Sequence, residues 1–310
     1  MDSQRLILLI VFSMSLFMLV DGWQRDQRPT PAPQSTAATA QKDASIPPIP
    51  GGTLVPAPAQ TPSLTPQAPS GGLAAGTSIT VETDVYHAEI STMGGDLRRL
   101  ELKQHRDIED AKRNFVLFEQ RPDHVYVAQS GLIGGDLPTH KTQFTTTATQ
   151  YKLADGSNSI EVRLDAPVVN GVKVTKIYRF QRGSYLIDVA FEIANNGPAP
   201  IQPYVYAQLL RDDKAPVGDS AMVPTFTGVG VYTEQDKFKK VPFSDIEKGK
   251  ALHAKTANDG WIAMLQHYFL AAWLPKNGTP REFYTRRVDN LYAAGVVVPS
   301  PALQPGTSAT

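Results

Sequence analysis

The sequence predicts an all-β protein, one large twisted β-sandwich domain preceded by a single transmembrane helix and a disordered proline-rich linker. Three observations predict it. From Thr77 onward apolar residues recur with a period of two rather than 3.6, and turn-forming residues separate the runs. Leu6 to Val20 is an apolar stretch interrupted only by Ser13 and Ser15. Between Asp21 and Gly76 lie eleven of the chain's 25 prolines. The expected divisions are therefore residues 1–5 as a polar end, 6–23 as a membrane anchor, 24–76 as a linker and 77–310 as the folded domain.

The anchor follows from length and from its flanks. Fifteen residues at about 1.5 Å each give roughly 22 Å, and Gly22 with Trp23 extends the helix toward the roughly 30 Å hydrocarbon core. A removable secretory signal is the alternative, and it needs small residues at a cleavage site. Met18-Leu19-Val20-Asp21-Gly22-Trp23 offers bulky ones instead, which favours a retained anchor. Arg5 lies on one side of the span and Arg25 and Arg28 on the other, offset by Asp21 and Asp26. The positive-inside rule is nearly silent on orientation.

The linker carries Ala, Thr, Gln, Ser and Gly between its prolines, too little apolar surface to repay ordering. It reads as a spacer reaching about 40 Å on average as a flexible coil. Pro66-Gln67-Ala68-Pro69 is a weak PxxP-like element.

Within 77–310, Ser78–Thr83, Val85–Ser91 and Leu97–Leu102 read as strands, with a Gly94-Gly95-Asp96 turn before the third. Ser159–Leu164, Val172–Phe180 and Tyr185–Ile193 alternate, and Asn195-Asn196-Gly197 is a hairpin signal. Further strands are expected at 201–210, 226–233, 261–266, 283–287 and 290–298. His105–Arg113 is the best candidate for a short helix. Many short strands with turns between them argue for a sandwich or a related large all-β architecture.

Composition narrows function. Thirty basic residues balance thirty acidic ones, with no basic stripe among aromatics, which excludes nucleic acid as the expected partner. There is no cysteine, so stability rests on core size rather than on disulfides. The six histidines, His87, His105, His124, His140, His253 and His267, show no metal-ligand spacing. No nucleophile elbow, P-loop or dinucleotide fingerprint occurs. Gly131 to Asp136 reads as a tight turn, and Asp212-Asp213 as a loop pair rather than a cation site. Neither a cofactor nor a catalytic residue is expected. The densest aromatic run, Gly260 to Pro275, fits two paired core strands or, more sharply, a binding surface. His267 within it fits a hydrogen-bonded structural role.

Ordered motifs then carry a resemblance. The MDSQR start, the apolar span ending in Gly22-Trp23, Thr83-Asp84-Val85, Ser91 to Leu97 with Gly94, Gly95 and Asp96, and Ala128 to Leu132 with Ser130, Gly131 and Leu132 form one set. The run with Trp261, Tyr268, Phe269, Trp273 and Pro275 is the most specific member. Together they resemble the amino-terminal part of the YidC family of bacterial membrane protein insertases. The resemblance covers essentially the whole chain, the linker matching only in character. It implies a supersandwich fold of the galactose-mutarotase-like kind, on which these signature residues are structural. It implies an inner-membrane protein with the amino terminus in the cytoplasm and the domain in the periplasm. Implied partners are inner-membrane lipid, nascent membrane proteins, the Sec translocon and its SecDF accessory subunits.

In that family the insertion groove belongs to five further carboxyl-terminal membrane helices, and no second apolar span occurs before Thr310. The 310 residues alone are therefore expected to anchor and dock rather than insert, and the sequence is expected to continue. Three function classes follow: an anchored binding or chaperone-like module of an insertase, a carbohydrate-binding or mutarotase-like domain on the same fold, and an adhesion domain. The second requires a histidine and a carboxylate converging in an open cleft, with His267 as its candidate.

Overall fold

In the computed structural model, the described residues are 45–50, 73, 74, 76–216 and 225–310. The apolar span Leu6–Val20 and most of the linker lie outside them. Among the described residues no helix is long and apolar enough to cross a membrane.

The chain enters a ten-stranded sheet through β1 (Ser78–Glu82), β2 (Tyr86–Ser91), β3 (Asp96–Arg106), β4 (Asn114–Gln120), β5 (Val125–Ile133) and β6 (Gln150–Lys152). It leaves for β7 (Ser159–Asp165), β8 (Val172–Gln181) and β9 (Ile187–Asn195), then returns as β10 (Tyr204–Arg211). Next come β11 (Gly228–Thr233), β12 (Lys237–Val241), the short helix α1 (Phe243–Glu247), β13 (Thr256–Ala257), β14 (Trp261–Gln266) and β15 (Phe269–Trp273). The last strands are β16 (Arg281–Val288), β17 (Leu291–Pro299) and β18 (Thr307–Ala309). The large sheet runs β13-β16-β17-β10-β5-β4-β3-β2-β1-β6, antiparallel except where β6 joins β1. Two smaller sheets, β12-β11-β14-β15 and β18-β9-β8-β7, complete the set.

One apolar core joins all three sheets. Ile79, Ile90, Leu132 and Leu209 from the large sheet meet Val162, Val174 and Phe180 from one small sheet and Val231, Ile262 and Met264 from the other. The alternation of β8 explains its side of this layer. Val172, Val174, Tyr178 and Phe180 share one face and are buried, as strand geometry requires. The fifth member of that face is Lys176.

Lys176 is fully buried and reaches across the interlayer space. Its Nζ donates to the carbonyls of Gly94 and Ser130, both at 3.0 Å. Beside it the Tyr178 hydroxyl donates to the Gly95 carbonyl at 2.6 Å. Asp96 is also fully buried; its carboxylate accepts from Gln129 Nε2 at 2.9 Å and lies 3.6 Å from Arg98. Burial pushes the Lys176 ammonium down from its usual range, against the pull of Asp96. Burial pushes Asp96 up to about 6, against Lys176, Arg98 and Gln129. Gly94 makes this approach possible. Its φ is +76°, and a Cβ there would sit 2.2 Å from the His140 carbonyl oxygen.

Three local expectations change, and one strand was not expected. His105–Arg113 is not a helix: β3 runs to Arg106, and Asp107 Oδ1 then accepts from the amides of Glu109 and Asp110, holding a turn. Such side-chain bonds compete with helix formation. Asn195-Asn196-Gly197 is not a hairpin but the exit from β9 toward the other layer. Asn195 accepts from the Gly197 amide and donates to the carbonyls of Ala199 and Leu303. Gly131 to Ile133 belong to β5, so the turn begins only at Gly134. β5 itself is buried at every position, which removes the alternation that marks half-exposed strands.

Lys176→Met is expected to lower stability by about 3–5 kcal/mol, because it strips a buried carboxylate and two carbonyls of their cation. Adding Asp96→Asn should recover part of that loss; equilibrium urea unfolding checks both. Asp96 also predicts a pH dependence. Its folded pKa lies above the unfolded value, so its contribution is complete below about pH 4 and is lost as pH rises through 6. Wild-type stability relative to Asp96→Asn should therefore fall as pH rises from about 4 through 6. Gly94→Ala should cost at least about 2 kcal/mol from strain and clash. Gly156→Ala, with φ +80° but nothing within 4 Å, should cost only the strain of about 1 kcal/mol.

Candidate functional site

The aromatic run folds as the hairpin β14–β15, paired from Ile262 with Trp273 to Gln266 with Phe269. Ile262, Ala263 and Met264 are buried, as expected of a core strand. Trp261 stacks on Tyr232 with centroids 5.8 Å apart, and Phe269 stacks on Phe115 at 4.0 Å. Trp273 is half-buried against the main core. The two-residue turn is His267-Tyr268, with His267 at a left-handed φ of 36°. Its ring lies 3.1 Å from the Thr225 hydroxyl and edge-on to Tyr268.

Both readings of this run meet in one element. The inner side is core, while Tyr268 is 80% exposed, Leu270 53% and Leu274 57%. β15 is also an edge strand of its sheet. An aromatic row, Tyr185–His105–Phe269–Phe115, continues from the hairpin, with Tyr185 and Leu186 open to solvent.

Arg281 fixes the base of this hairpin. It is buried, and its guanidinium donates to the carbonyls of Asn258, Gly260, Pro275, Lys276 and Thr279. Pro275 and Gly260 thus serve one buried cation. Gly260 has φ +83°, and a Cβ there would lie 1.9 Å from the Tyr232 carbonyl oxygen. Arg211, also buried, donates to Gln266 Oε1 at 2.8 Å and stacks over Tyr126, tying β10 to β14. Burial pushes both guanidiniums down from their ordinary value.

The other face of the large sheet carries a buried polar ladder. Asp96 accepts from Gln129, whose Oε1 accepts from Gln208 Nε2 at 2.9 Å. Gln208 Oε1 in turn accepts from Tyr284 at 2.9 Å and Arg286 at 3.2 Å. His140 stands beside it, with its amide and Nδ1 at 2.9 and 2.6 Å from the Tyr206 hydroxyl. Gly131 lies under Tyr206, where a Cβ would stand 2.7 Å from the hydroxyl. Parts of the linker reach this face. Leu73 packs beside Val125, Val127 and Leu210, and Arg98 donates to the Ala74 carbonyl at 2.6 Å. Ser45–Pro50 lies near Gln208 and Arg286.

Acid–base chemistry would need a histidine and a carboxylate facing a cleft. An open cleft of about 830 Å³ lies between β13, β16 and the β11–β12 turn. Among the described residues its lining holds Glu234, Asp236, Asp259 and Glu282, and no histidine. His267, the sequence candidate, is placed at the hairpin tip against Thr225 and Tyr268 rather than in that cleft. Among the described residues, His87 pairs with Glu82 at 3.0 Å and His124 with Asp212 at 2.8 Å. Asp212 is a loop staple: it accepts from the amides of Val125 and Lys214 as well as from His124. Burial raises its carboxyl, but these donors outweigh that and hold it below its ordinary value.

Lys176, Arg211 and Arg281 were not singled out by sequence reasoning. A lysine in phase with Val172, Val174, Tyr178 and Phe180 was the available signal for the first. The two arginines show no comparable pattern.

Comparison with known proteins places this geometry. Residues 78–310 match the family described as the YidC periplasmic domain. The chain is 50% identical over 328 aligned residues to the membrane protein insertase YidC of Nitrosospira multiformis, covering 100% of this chain and 57% of that protein. It is 48% identical to the insertase of Methylobacillus flagellatus, over 100% of this chain and 56% of that protein. It thus spans slightly more than half the length of the curated relatives it matches. Among solved structures it is similar to a galactose mutarotase related enzyme from Lactobacillus acidophilus, at 12% identity and a TM-score of 0.42, over 75% of this chain and 94% of that one. The chain belongs to the YidC family of membrane protein insertases, and its folded part is that family's periplasmic domain.

Proposed function

We propose that this chain is the anchored periplasmic portion of a membrane protein insertase and acts as a docking module rather than an enzyme. Leu6–Val20 would hold it in the inner membrane with the amino terminus in the cytoplasm. The domain would stand in the periplasm beside nascent membrane proteins. The observation that carries the docking role is the β14–β15 hairpin, whose turn presents Tyr268 and whose edge strand presents Leu270 to solvent in a chain whose relatives are insertases. Exposed aromatic and apolar residues grouped on one element are a common form of partner surface. Among the described residues β15 has a strand partner on one side only, and such an edge offers backbone groups for strand addition. The Sec translocon and its SecDF subunits are the partners this reading names. Insertion itself belongs to membrane-embedded helices, since a domain outside the bilayer cannot lower the cost of moving polar groups through hydrocarbon.

A photoreactive residue at Tyr268 of the full-length protein in native membranes should give adducts with SecDF or translocon subunits. The same residue at Asp155 should not; equal labelling at the two positions would reject this surface. Tyr268→Ser with Leu270→Ser should stay within about 0.5 kcal/mol of the parent, as exposed substitutions do, while losing the adducts. Sugar mutarotation should proceed no faster than in buffer. Turnover abolished by His267→Ala would sink the non-enzyme reading.

A further inference from the structure

The face of the ten-stranded sheet that carries the polar ladder meets a piece of the proline-rich linker in a way that a spacer would not. The Arg286 guanidinium donates to the Ser45 carbonyl at 2.7 Å and to the Ile46 carbonyl at 2.9 Å. Gln208 Nε2 donates to the same Ser45 carbonyl at 3.3 Å, and His140 Nε2 is 3.1 Å from the Ser45 hydroxyl. Ile46 packs against the cluster of Ile133, Tyr206 and Val297, and Pro47 is buried. Pro50 reaches the rim of the cleft formed by Tyr204 and Val297. This segment and the sheet belong to one compact unit.

We propose that this face is a receptor for an extended proline-rich peptide, occupied in cis by Ser45–Pro50. The chemistry is matched on both sides. Three of the segment's six residues are prolines and lack an N–H, so the peptide offers chiefly carbonyls and apolar rings. Extended proline-rich segments are recognised through aromatic grooves and donors aimed at those carbonyls. The face supplies such donors in Arg286 and Gln208, and it holds them rigidly. Gln208 is fixed by Gln129 and Tyr284, and Arg286 lies over the Tyr284 ring at 5.0 Å. Docking moves the domain's first hold on its linker to Ser45, 25 residues after Val20, rather than near Gly76, 56 residues after it. The occupied face is also withheld from other peptides of the same kind.

The chain has no cysteine, so a single spin label at Ile49→Cys is unambiguous, and Ile49 is 43% exposed, leaving the contact face undisturbed. In the full chain the label should show the slow motion of a docked segment. Arg286→Ala should shorten its correlation time about tenfold, toward the nanosecond motion of an undocked segment. Ile46→Ser, which alters only the segment and leaves the sheet intact, should do the same. A fast spectrum in the parent, or spectra unchanged by both substitutions, would overturn the proposal. The parent spectrum should not depend on protein concentration; a dependence would assign the face to a second copy and reject occupation in cis.

Discussion

The architecture depends on Lys176, a charged group in the middle of an apolar layer. Taking an ammonium out of water costs several kcal/mol even after relaxation. The cost is met by two carbonyls that point at it, those of Gly94 and Ser130, and by the charge of Asp96. Because these partners sit on the large sheet and Lys176 on β8, the bonds form in only one alignment of the two layers. Apolar packing alone tolerates small shifts; a buried cation between fixed carbonyls does not.

Arg281 and Arg211 repeat the device elsewhere. Arg281 gathers five carbonyls from the loops on either side of β14–β15, and Arg211 links β10 to the end of β14. Each is a buried planar donor whose fork matches several acceptors at once. Gly94 and Gly260 therefore share a reason for being glycine. Each lets backbone pass where a Cβ would strike a carbonyl, and each lies beside a carbonyl that a buried cation needs. The hairpin can carry exposed Tyr268 and Leu270 because Arg281 holds its base and Ile262, Met264 and Trp273 hold its inner side in the core. The function proposed for that hairpin thus rests on the same kind of interaction that aligns the sheets.

The large sheet has two occupied faces, and the division gives the domain its possible roles. One face is the common core. The other is the ladder from Asp96 through Gln129 and Gln208 to Tyr284 and Arg286. Asp96 is common to the ladder and to the Lys176 site, so the polar face and the interlayer cation are parts of one network. In such a low-dielectric network the members strengthen one another, and removing one leaves the rest under-satisfied.

Much of the fold was legible before any coordinates. The period of two identified β2, β7 and β8 because each has one face in the core and a more exposed environment on the other. β5 was illegible for the opposite reason: both its faces are buried, and VYVAQSGLI shows no alternation. Asp107 and Asp110 sit in a segment charged like a helix, but their side chains cap a turn. Asn195-Asn196-Gly197 has hairpin chemistry, yet Asn195 spends its amide on the carbonyls of Ala199 and Leu303, and the chain changes sheets. The family, the all-β class and the signature residues were carried by local order along the chain, which needs no knowledge of distant contacts. Tertiary structure alone decided why those residues are what they are. Gly94 and Ser130 meet Lys176 across 82 and 46 residues of chain, and Ser45 meets Arg286 across 241. Pairings at such separations leave no periodic trace, because they are set by where the layers close rather than by any repeat in the sequence.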